Sequence, residues 1–143
     1  MVNKPITYAY LETTNYCNLE CSFCNREEVI GHLQHMPINK WRLLLDSIKH
    51  HPINEAKLMG MGEPLLHPQF DEICKIFKEY FPNAFLIVAT NCQYPVKPNT
   101  KMGVKFERTM KYVDLMYFSI DGYKESYERD RAPAKWSKLI SFL

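Results

Sequence analysis

The sequence lacks the features of a membrane or secreted protein. No apolar run approaches the roughly 20 residues that a membrane-spanning helix requires, and residues 1–8 have no apolar core of the kind found in signal peptides. Internal repeats and low-complexity segments are also absent. These absences predict a cytoplasmic protein.

The chain has little excess charge and little cysteine. It carries 18 Lys and Arg against 16 Asp and Glu, a net charge of +2 with no basic tract, which neither requires nor rules out a nucleic-acid partner. The five cysteines are an odd number, which favours metal binding or reduced thiols over disulfides in a non-secreted chain. A length of 143 residues suits one globular domain and is short for two.

Three of the five cysteines lie close together. Cys17, Cys21 and Cys24 have the spacing CxxxCxxC. Thiolates suit iron–sulfur clusters and zinc, and three thiolates on one loop can converge on one metal centre. A structural zinc normally has four protein ligands, whereas a catalytic metal keeps one position open. The three cysteines therefore favour an iron–sulfur site at which chemistry takes place.

Other interpretations of the cysteines stay open at this point. A zinc site needs a fourth ligand, for which His32 and His35 are candidates, although their spacing fits neither common zinc-finger pattern. A closed four-thiolate site would add Cys92 to the three clustered cysteines, and unliganded thiols are the remaining possibility. Cys74 lies on an apolar helical stripe and is predicted to be a buried core residue.

Short apolar runs alternate with helical periodicity along the chain. Strands are predicted at residues 6–11, 56–59, 85–89 and 115–120. Helices are predicted from Asn39 as N-cap through the stripe Trp41, Leu44, Leu45 and Ile48, over residues 70–81 and 105–112, and along Trp136, Leu139, Ile140 and Leu143. Residues 123–131 are predicted as a polar loop or short helix. Four alternating units predict an α/β fold with a parallel sheet and right-handed crossovers.

Polar residues follow the end of every predicted strand. The four strand ends lead into residues 12–24, 60–64, 90–92 and 119–122. Because ligands bind at the carboxyl ends of parallel strands in β/α folds, the sequence predicts an active site at this edge of the sheet.

The cysteine spacing, with Phe23 directly before the last cysteine, resembles the signature of the radical S-adenosylmethionine (radical SAM) superfamily. In that family, the three cysteines hold a 4Fe–4S cluster, and S-adenosylmethionine chelates the fourth iron. The resemblance implies an enzyme that cleaves S-adenosylmethionine reductively, and the resulting deoxyadenosyl radical abstracts hydrogen from a substrate. It also implies an electron donor such as a flavodoxin or ferredoxin.

The resemblance places the chain among oxidoreductase and peptide- or sugar-modifying members, and RNA-modifying members carry similar GMGEP stretches. The alternative functions are a non-catalytic metal-binding module with the four-thiolate site and an inactive fragment.

The resemblance extends to the second strand end. Gly60, Gly62 and Glu63 are similar to the family's GGEP motif, whose backbone and glutamate meet the amino group of the methionine moiety. Met61 replaces the commonest first glycine. An ammonium group needs acceptors, and a glycine-rich strand end exposes carbonyl groups at close approach.

Further cofactor contacts are implied at the other strand ends. Ser119 and Asp121 resemble the ribose-binding positions, and Asn91 resembles a family position that reaches the cofactor. Arg131 matches a position that binds the methionine carboxylate, for which its planar guanidinium is suited. Phe23 is expected to pack beside the cluster and to offer its backbone to the adenine.

Cys92 stands where the family usually has a glycine, and it is expected to be a non-ligand. The family fold is a partial TIM-type barrel of about six β/α units, of which this sequence supplies about four. Residues 1–143 are therefore expected to form a radical SAM core domain that is incomplete at its carboxyl end.

Overall fold

The computed structural model describes residues 4–143. The strands are β1 (Tyr8–Tyr10), β2 (Glu55–Leu58), β3 (Phe85–Thr90) and β4 (Leu115–Phe118). The helices are α1 (Arg26–Val29), α2 (Ile38–Ile48), α3 (Phe70–Tyr80), α4 (Lys101–Met110), α5 (Glu125–Asp130) and α6 (Trp136–Phe142), and a short 3-10 helix spans Pro64–Leu66.

The four strands form one parallel sheet in the order β1-β2-β3-β4. Tyr10, Lys57 and Ile87 lie side by side on neighbouring strands, and Leu115 continues this row on β4. Each crossover between successive strands contains at least one helix. The predicted α/β fold, a partial barrel of four β/α units, is thus confirmed.

Two helix starts differ from the prediction because of local capping. Asn39 is not an N-cap: α2 starts at Ile38 after the extended residue Pro37, whose carbonyl accepts a hydrogen bond from Trp41 N at 2.9 Å. Helix α4 starts at Lys101, earlier than predicted. The Thr100 side chain caps it by accepting a hydrogen bond from the backbone N–H of Gly103, the third residue of the helix.

Two further differences arise where apolar periodicity is a weak guide. Helix α1 was not predicted, since none of its residues is buried and no apolar stripe announces it. In α6 the predicted stripe is wrong in part: Leu139 is buried, whereas Ile140 and Leu143 are 54% and 62% exposed. Phe142 packs in their place, against Phe106 and Phe118.

One face of the sheet is covered by helices and carries the main core. Leu58 and Leu86 of the sheet pack with Trp41 of α2 and Phe77 of α3, and all four side chains are fully buried. Cys74 lies in the same core, as predicted. Burying a large apolar side chain contributes about 1.5–3 kcal/mol, so this face supplies much of the stability of the domain.

The opposite face of the sheet is open in the described part of the chain. It carries exposed aromatic residues at Tyr8, Tyr10, Phe85 and Tyr117. Because the strands are parallel, the loops that follow them lie along one edge of the sheet. These loops carry the polar residues of the sequence motifs. None of the helices within residues 4–143 has the length and apolar character needed to span a membrane.

Candidate cofactor-binding site

The cysteine loop, residues 12–25 between β1 and α1, is fixed at its middle by the last residue of α5 and the segment that follows it. Glu20 N donates to Ala132 O at 2.6 Å, and Ser22 N donates to Asp130 O at 2.9 Å. These backbone hydrogen bonds join segments more than 100 residues apart in sequence. They set the path of the loop without using any cysteine side chain.

The three thiols of the loop lie near one another. Cys17 and Cys21 are half-buried, whereas Cys24 is exposed. Burial raises the pKa of the Cys17 thiol, and burial together with the nearby sulfur atoms of Cys17 and Cys24 raises the pKa of Cys21 against the opposing effect of Arg131. The electrostatic surroundings of Cys21 thus include the other two thiols of the loop.

The thiols do not form a closed ligand set in this conformation. Within residues 4–143, no three His, Cys, Asp or Glu side chains are gathered tightly enough to hold a metal ion. The type and sequence spacing of the donors nevertheless fit an iron–sulfur cluster, since three soft ligands share one short loop. Cys24 is the most exposed of the three thiols.

Arg131 joins the cysteine loop to the end of the fourth β/α unit. Its Nη1 lies 3.9 Å from the Cys21 sulfur, and its guanidinium carbon lies 5.3 Å from the centre of the Phe23 ring. The same guanidinium forms an ion pair with Asp121, and the Arg131 side chain is only 11% exposed. The structure therefore brings together four residues that the sequence singled out separately.

The GMGEP loop, residues 60–64 after β2, packs directly on the cysteine loop. A Cβ atom at Gly62 would collide with the carbonyl oxygens of Thr14 and Tyr16, and the next residue, Glu63, donates its backbone N–H to Tyr16 O at 2.7 Å. Gly62 is therefore needed for the close approach of two loops. This contact couples the second motif of the sequence to the first.

Glu12 also links these loops, although the sequence motifs did not reveal its role. Its Oε1 accepts a hydrogen bond from Met61 N at 2.6 Å, and its side chain occupies the space into which a Cβ at Gly60 would point. The one sequence feature that could have indicated this role is the position of Glu12 directly after β1. Because β1 and β2 are neighbours in the sheet, the loops that follow them are also neighbours.

The Glu63 carboxylate faces inward and is 3% exposed. It accepts hydrogen bonds from Leu65 N at 3.2 Å, Thr90 Oγ1 at 2.8 Å and Asn91 N at 2.7 Å. Burial raises the pKa of Glu63, while the hydrogen bonds oppose that effect. Glu63 thus joins the ends of β2 and β3, and its contact with the cofactor amino group stays a prediction.

Lys105 supports the same segment from α4. Its Nζ donates to Leu65 O at 2.7 Å, to His67 O at 3.0 Å and to the Tyr94 hydroxyl at 2.7 Å. Burial lowers the pKa of Lys105 to about 8. Sequence periodicity gave no sign of this role, since a lysine on a helix is normally solvated.

Asn91 reaches the cysteine loop from the end of β3. Its Nδ2 lies 3.8 Å from the Cys17 sulfur and donates to Asn18 Oδ1 at 2.8 Å. Asn18 in turn donates to Gln93 O at 2.9 Å. The prediction that Asn91 belongs to the site agrees with this placement, while its contact with a cofactor stays a prediction.

Cys92 has a left-handed backbone conformation, with φ of 59°. That conformation favours glycine, the residue that the resemblance led us to expect there. The thiol is fully buried beside Leu19 and Tyr127 and donates weakly to Thr90 O at 3.7 Å. Burial raises its pKa to about 12. In this conformation the thiol is neutral and directed into the protein.

The two histidines that were candidates for a zinc ligand do not lie with the thiols. They are His32 and His35. The His35 ring stacks on Tyr16 with 4.4 Å between ring centres, and its Nδ1 lies 2.8 Å from Thr14 Oγ1. His32 is exposed, and its carbonyl accepts a hydrogen bond from the Asn15 side chain. The structure does not bring either ring together with the thiols as a metal site.

Ser119 and Gln93 complete the row of strand ends. Ser119 N donates to Thr90 O at 2.9 Å, which places the backbone of Ser119 next to the end of β3. Gln93, not identified from the sequence, is buried and links Tyr127 to Lys135 through its amide group. A polar residue directly after a strand-end motif was the only sequence signal for Gln93.

Comparison with known proteins connects this site to a family. A sequence model of the radical SAM superfamily matches residues 11–143. The tungsten-containing aldehyde ferredoxin oxidoreductase cofactor-modifying protein of Pyrococcus furiosus is 32% identical over 118 residues, which cover 80% of this chain and 30% of that protein. A GTP 3',8-cyclase of Chlorobaculum tepidum is 28% identical over 75 residues, which cover 52% of this chain and 22% of that protein.

Solved structures share the fold. BtrN in complex with AdoMet and 2-DOIA superposes with a TM-score of 0.68 at 17% identity, covering 97% of this chain and 56% of that one. Methylornithine synthase (PylB) gives a TM-score of 0.66 at 13% identity, covering 98% of this chain and 41% of that one. The chain spans less than a third of the length of the two curated relatives, whose shares are 30% and 22%.

Proposed function

The chain belongs to the radical SAM superfamily, and we propose that it binds a 4Fe–4S cluster through Cys17, Cys21 and Cys24. Such a cluster would supply the electron for reductive cleavage of S-adenosylmethionine to methionine and a deoxyadenosyl radical, which would abstract hydrogen from a substrate. The contact between the cysteine loop and the GMGEP loop carries the proposal. Gly62 and the hydrogen bond from Glu63 N to Tyr16 O hold the two motifs of this chemistry side by side.

In this proposal, the protein contributes positioning and charge. The Arg131 guanidinium next to Cys21 offsets the negative charge of thiolate ligands, because it lies within a few ångströms of the sulfur in a partly buried position. Phe23 covers the outer side of that guanidinium. The loops after the strands would restrict access of water to the reacting groups.

We assign the S-adenosylmethionine contacts to residues that follow β2, β3 and β4. Backbone carbonyls of Gly60 and Gly62, with Glu63, serve the amino group; the Glu63 carboxylate is buried and already accepts three hydrogen bonds, which leaves it one further acceptor position. Ser119 and Asp121, after β4, serve the ribose, and Arg131 serves the methionine carboxylate. Asn91, at the end of β3, also contacts the cofactor.

Two of these residues are paired with each other in the present conformation. Arg131 and Asp121 form an ion pair, so binding the carboxylate and ribose groups of S-adenosylmethionine requires the pair to share its hydrogen bonds with the cofactor. Arginine has five donors and is suited to hold two acceptors at once.

The substrate class and the electron donor are proposed more broadly. We propose an oxidoreductase or peptide- or sugar-modifying reaction in the cytoplasm, with electrons from a flavodoxin or ferredoxin. The relatives named above differ in what they act on, so none of their substrates is assigned to this chain. A domain that requires further β/α units for full activity remains part of the proposal.

A non-catalytic module with a closed four-thiolate site is the rival proposal. One observation favours it: Cys92 belongs to the buried cluster against which Cys17 and Cys21 pack. The orientation of Cys92 favours the three-thiolate site instead, because its thiol is fully buried and donates to Thr90 O at 3.7 Å.

Metal content tests the ligand assignment. After anaerobic reconstitution, Cys21→Ala should lose its iron and sulfide, whereas Ser22→Ala, a neighbouring exposed residue, should keep about four irons per chain, as a 4Fe–4S cluster requires. Far-ultraviolet circular dichroism should be similar in both variants, because the loop is held by backbone hydrogen bonds from Glu20 and Ser22. A Cys21→Ala variant with a full complement of iron would disprove the assignment.

A further inference from the structure

The open face of the sheet carries one lysine among aromatic side chains. Lys57 of β2 lies beside Tyr10 of β1 in the sheet register. Its Nζ is 5.4 Å from the ring centres of both Tyr8 and Tyr10 and 6.0 Å from that of Tyr117 on β4. Residues of three strands thus converge on one ammonium group.

The Lys57 charge has no acidic partner among residues 4–143. Glu55 is the other charged residue that β2 contributes to this face, yet it forms no ion pair with Lys57. The neighbouring tyrosine side chains, Tyr8 above all, raise the pKa of Lys57, so the ammonium is charged throughout the neutral range. Cation–π attraction to the rings holds it in place.

The surrounding rings are accessible as well. Tyr8, Tyr10 and Tyr117 are 40%, 59% and 46% exposed, and Phe85 and Leu115 on the same face are 45% and 37% exposed. Contiguous apolar surface of this kind on a soluble domain usually marks a binding site. A positioned cation inside an apolar surface selects for a ligand with one anionic group and an apolar body.

The location connects this surface to the candidate cofactor site. Lys57 lies three residues before Gly60, and Tyr10 lies two residues before Glu12, whose carboxylate binds Met61 N. The aromatic surface is therefore directly below the loops that carry the cysteine and GMGEP motifs. A ligand resting on it would lie next to the carboxyl ends of the strands.

We propose that Lys57 and the three tyrosine rings form the substrate-anchoring site, and that the substrate carries an oxyanion, either carboxylate or phosphate, on an apolar or flat body. The lysine binds the oxyanion, while the rings of Tyr8, Tyr10 and Tyr117 contact the body. This inference rests on the proposed function, because it treats the open face as the substrate side of a radical SAM site.

Binding of simple probes to the anaerobically reconstituted chain tests the site without requiring turnover. The chain is labelled with carbon-13 at the lysine ε positions, and the Lys57 signal is assigned by its loss in Lys57→Gln. Phenyl phosphate, benzoate, inorganic phosphate and the neutral benzyl alcohol are then titrated. We expect a saturable shift of the Lys57 signal with phenyl phosphate or benzoate, and binding about tenfold weaker for benzyl alcohol and for inorganic phosphate.

Two variants and one control separate the contributions. In isothermal titration calorimetry, which does not depend on the Lys57 signal, Lys57→Gln should weaken binding of the aromatic anions about tenfold, and Tyr10→Leu should weaken it severalfold by removing a ring face. Lys124→Gln is the matched control, since Lys124 lies over a single exposed ring, that of Tyr123, at 5.1 Å. It should leave binding unchanged. The tighter of phenyl phosphate and benzoate identifies the group that the site prefers.

The inference is overturned if no anion gives a saturable shift, if benzyl alcohol binds as tightly as benzoate, or if Lys57→Gln binds the anions as the parent chain does. Iron and sulfide analysis of the same preparations reports on the proposed function separately. A full cluster without anion binding would count against the anchoring site alone, whereas anion binding without a cluster would count against the proposed function.

Discussion

The loops after β1 and β2 are neighbours in space but differ in how their polar groups are satisfied. In the cysteine loop, backbone groups are bonded while the Cys24 side chain remains exposed. In the GMGEP loop, the Glu63 carboxylate is buried and accepts three hydrogen bonds. The difference indicates that the two loops have different roles. The β2 loop supports the site through its hydrogen bonds, and the cysteine loop keeps a thiol accessible for binding a metal.

The largest loss of stability is expected from a substitution at Gly62 in the GMGEP loop. In Gly62→Ala, the added Cβ meets the carbonyl oxygens of Thr14 and Tyr16, which belong to the backbone and cannot rotate away. We expect a loss of unfolding free energy of at least about 3 kcal/mol, in the range of severe core substitutions, together with loss of the cluster. Chemical denaturation and iron analysis measure both.

Gly31→Ala provides the control for this change, because nothing lies within 4 Å of a Cβ at Gly31. It should change the unfolding free energy by less than about 1 kcal/mol. Equal stability of the two variants would contradict the claim that the β2 loop is held rigidly against the cysteine loop.

A smaller effect is expected when the buried carboxylate is replaced. Glu63→Gln keeps the size of the side chain but turns one acceptor oxygen into a donor that faces the donors of Thr90 and Asn91. The unfolding free energy should fall by about 1–3 kcal/mol. Glu28→Gln, on exposed α1, should have no measurable effect, and a similar small effect at both positions would show that Glu63 does not support the fold.

The support from α4 should depend on pH. Because burial lowers the pKa of Lys105 to about 8, the folded chain binds fewer protons there than the unfolded chain at pH values between about 8 and the ordinary lysine pKa. Stability contributed by this residue should therefore rise as pH increases through that window. The difference in unfolding free energy between the parent chain and Lys105→Met measures this rise.

Comparing the two proteins at each pH removes the effects of other titrating groups. The difference should be constant below pH values of about 7, where Lys105 is protonated in both states. A difference that does not change with pH, or that falls as pH increases, would contradict the placement of the Lys105 ammonium in a partly buried position.

The smallest effect is expected at Cys92. Cys92→Gly removes a buried thiol but suits the left-handed backbone, so the two contributions oppose each other. We expect an unfolding free energy within about 1 kcal/mol of the parent chain and unchanged iron content. Cys92→Ala isolates the side-chain contribution, since alanine keeps the unfavourable conformation. Loss of the cluster in Cys92→Gly would favour the four-thiolate rival.

The sequence was sufficient to predict the parallel sheet and the row of strand-end motifs. Apolar runs and helical stripes identified the four strands and the main helices, since burial governs those residues. Apolar periodicity predicts the start of α4 four residues too late, because that start depends on the Thr100 cap. It also predicts a buried Ile140 in α6, because the spacing of this residue fits an apolar stripe although its side chain is exposed.

The sequence was less informative about which polar side chains meet. The ion pair between Arg131 and Asp121, the inward turn of Glu63 and the contact from Glu12 to Met61 all depend on distances between strands and loops. No local pattern specifies such distances. Lys57 shows the same limit, because only the sheet register places it among tyrosines from two other strands.

The open coordination position of the cluster is the central claim of this account. Electron paramagnetic resonance of the reconstituted, reduced chain, recorded with and without S-adenosylmethionine, tests it most directly. We predict that the cofactor changes the spectrum of the cluster, because three cysteine ligands leave one iron free to bind it. A reduced cluster whose spectrum is the same with saturating S-adenosylmethionine would contradict the account.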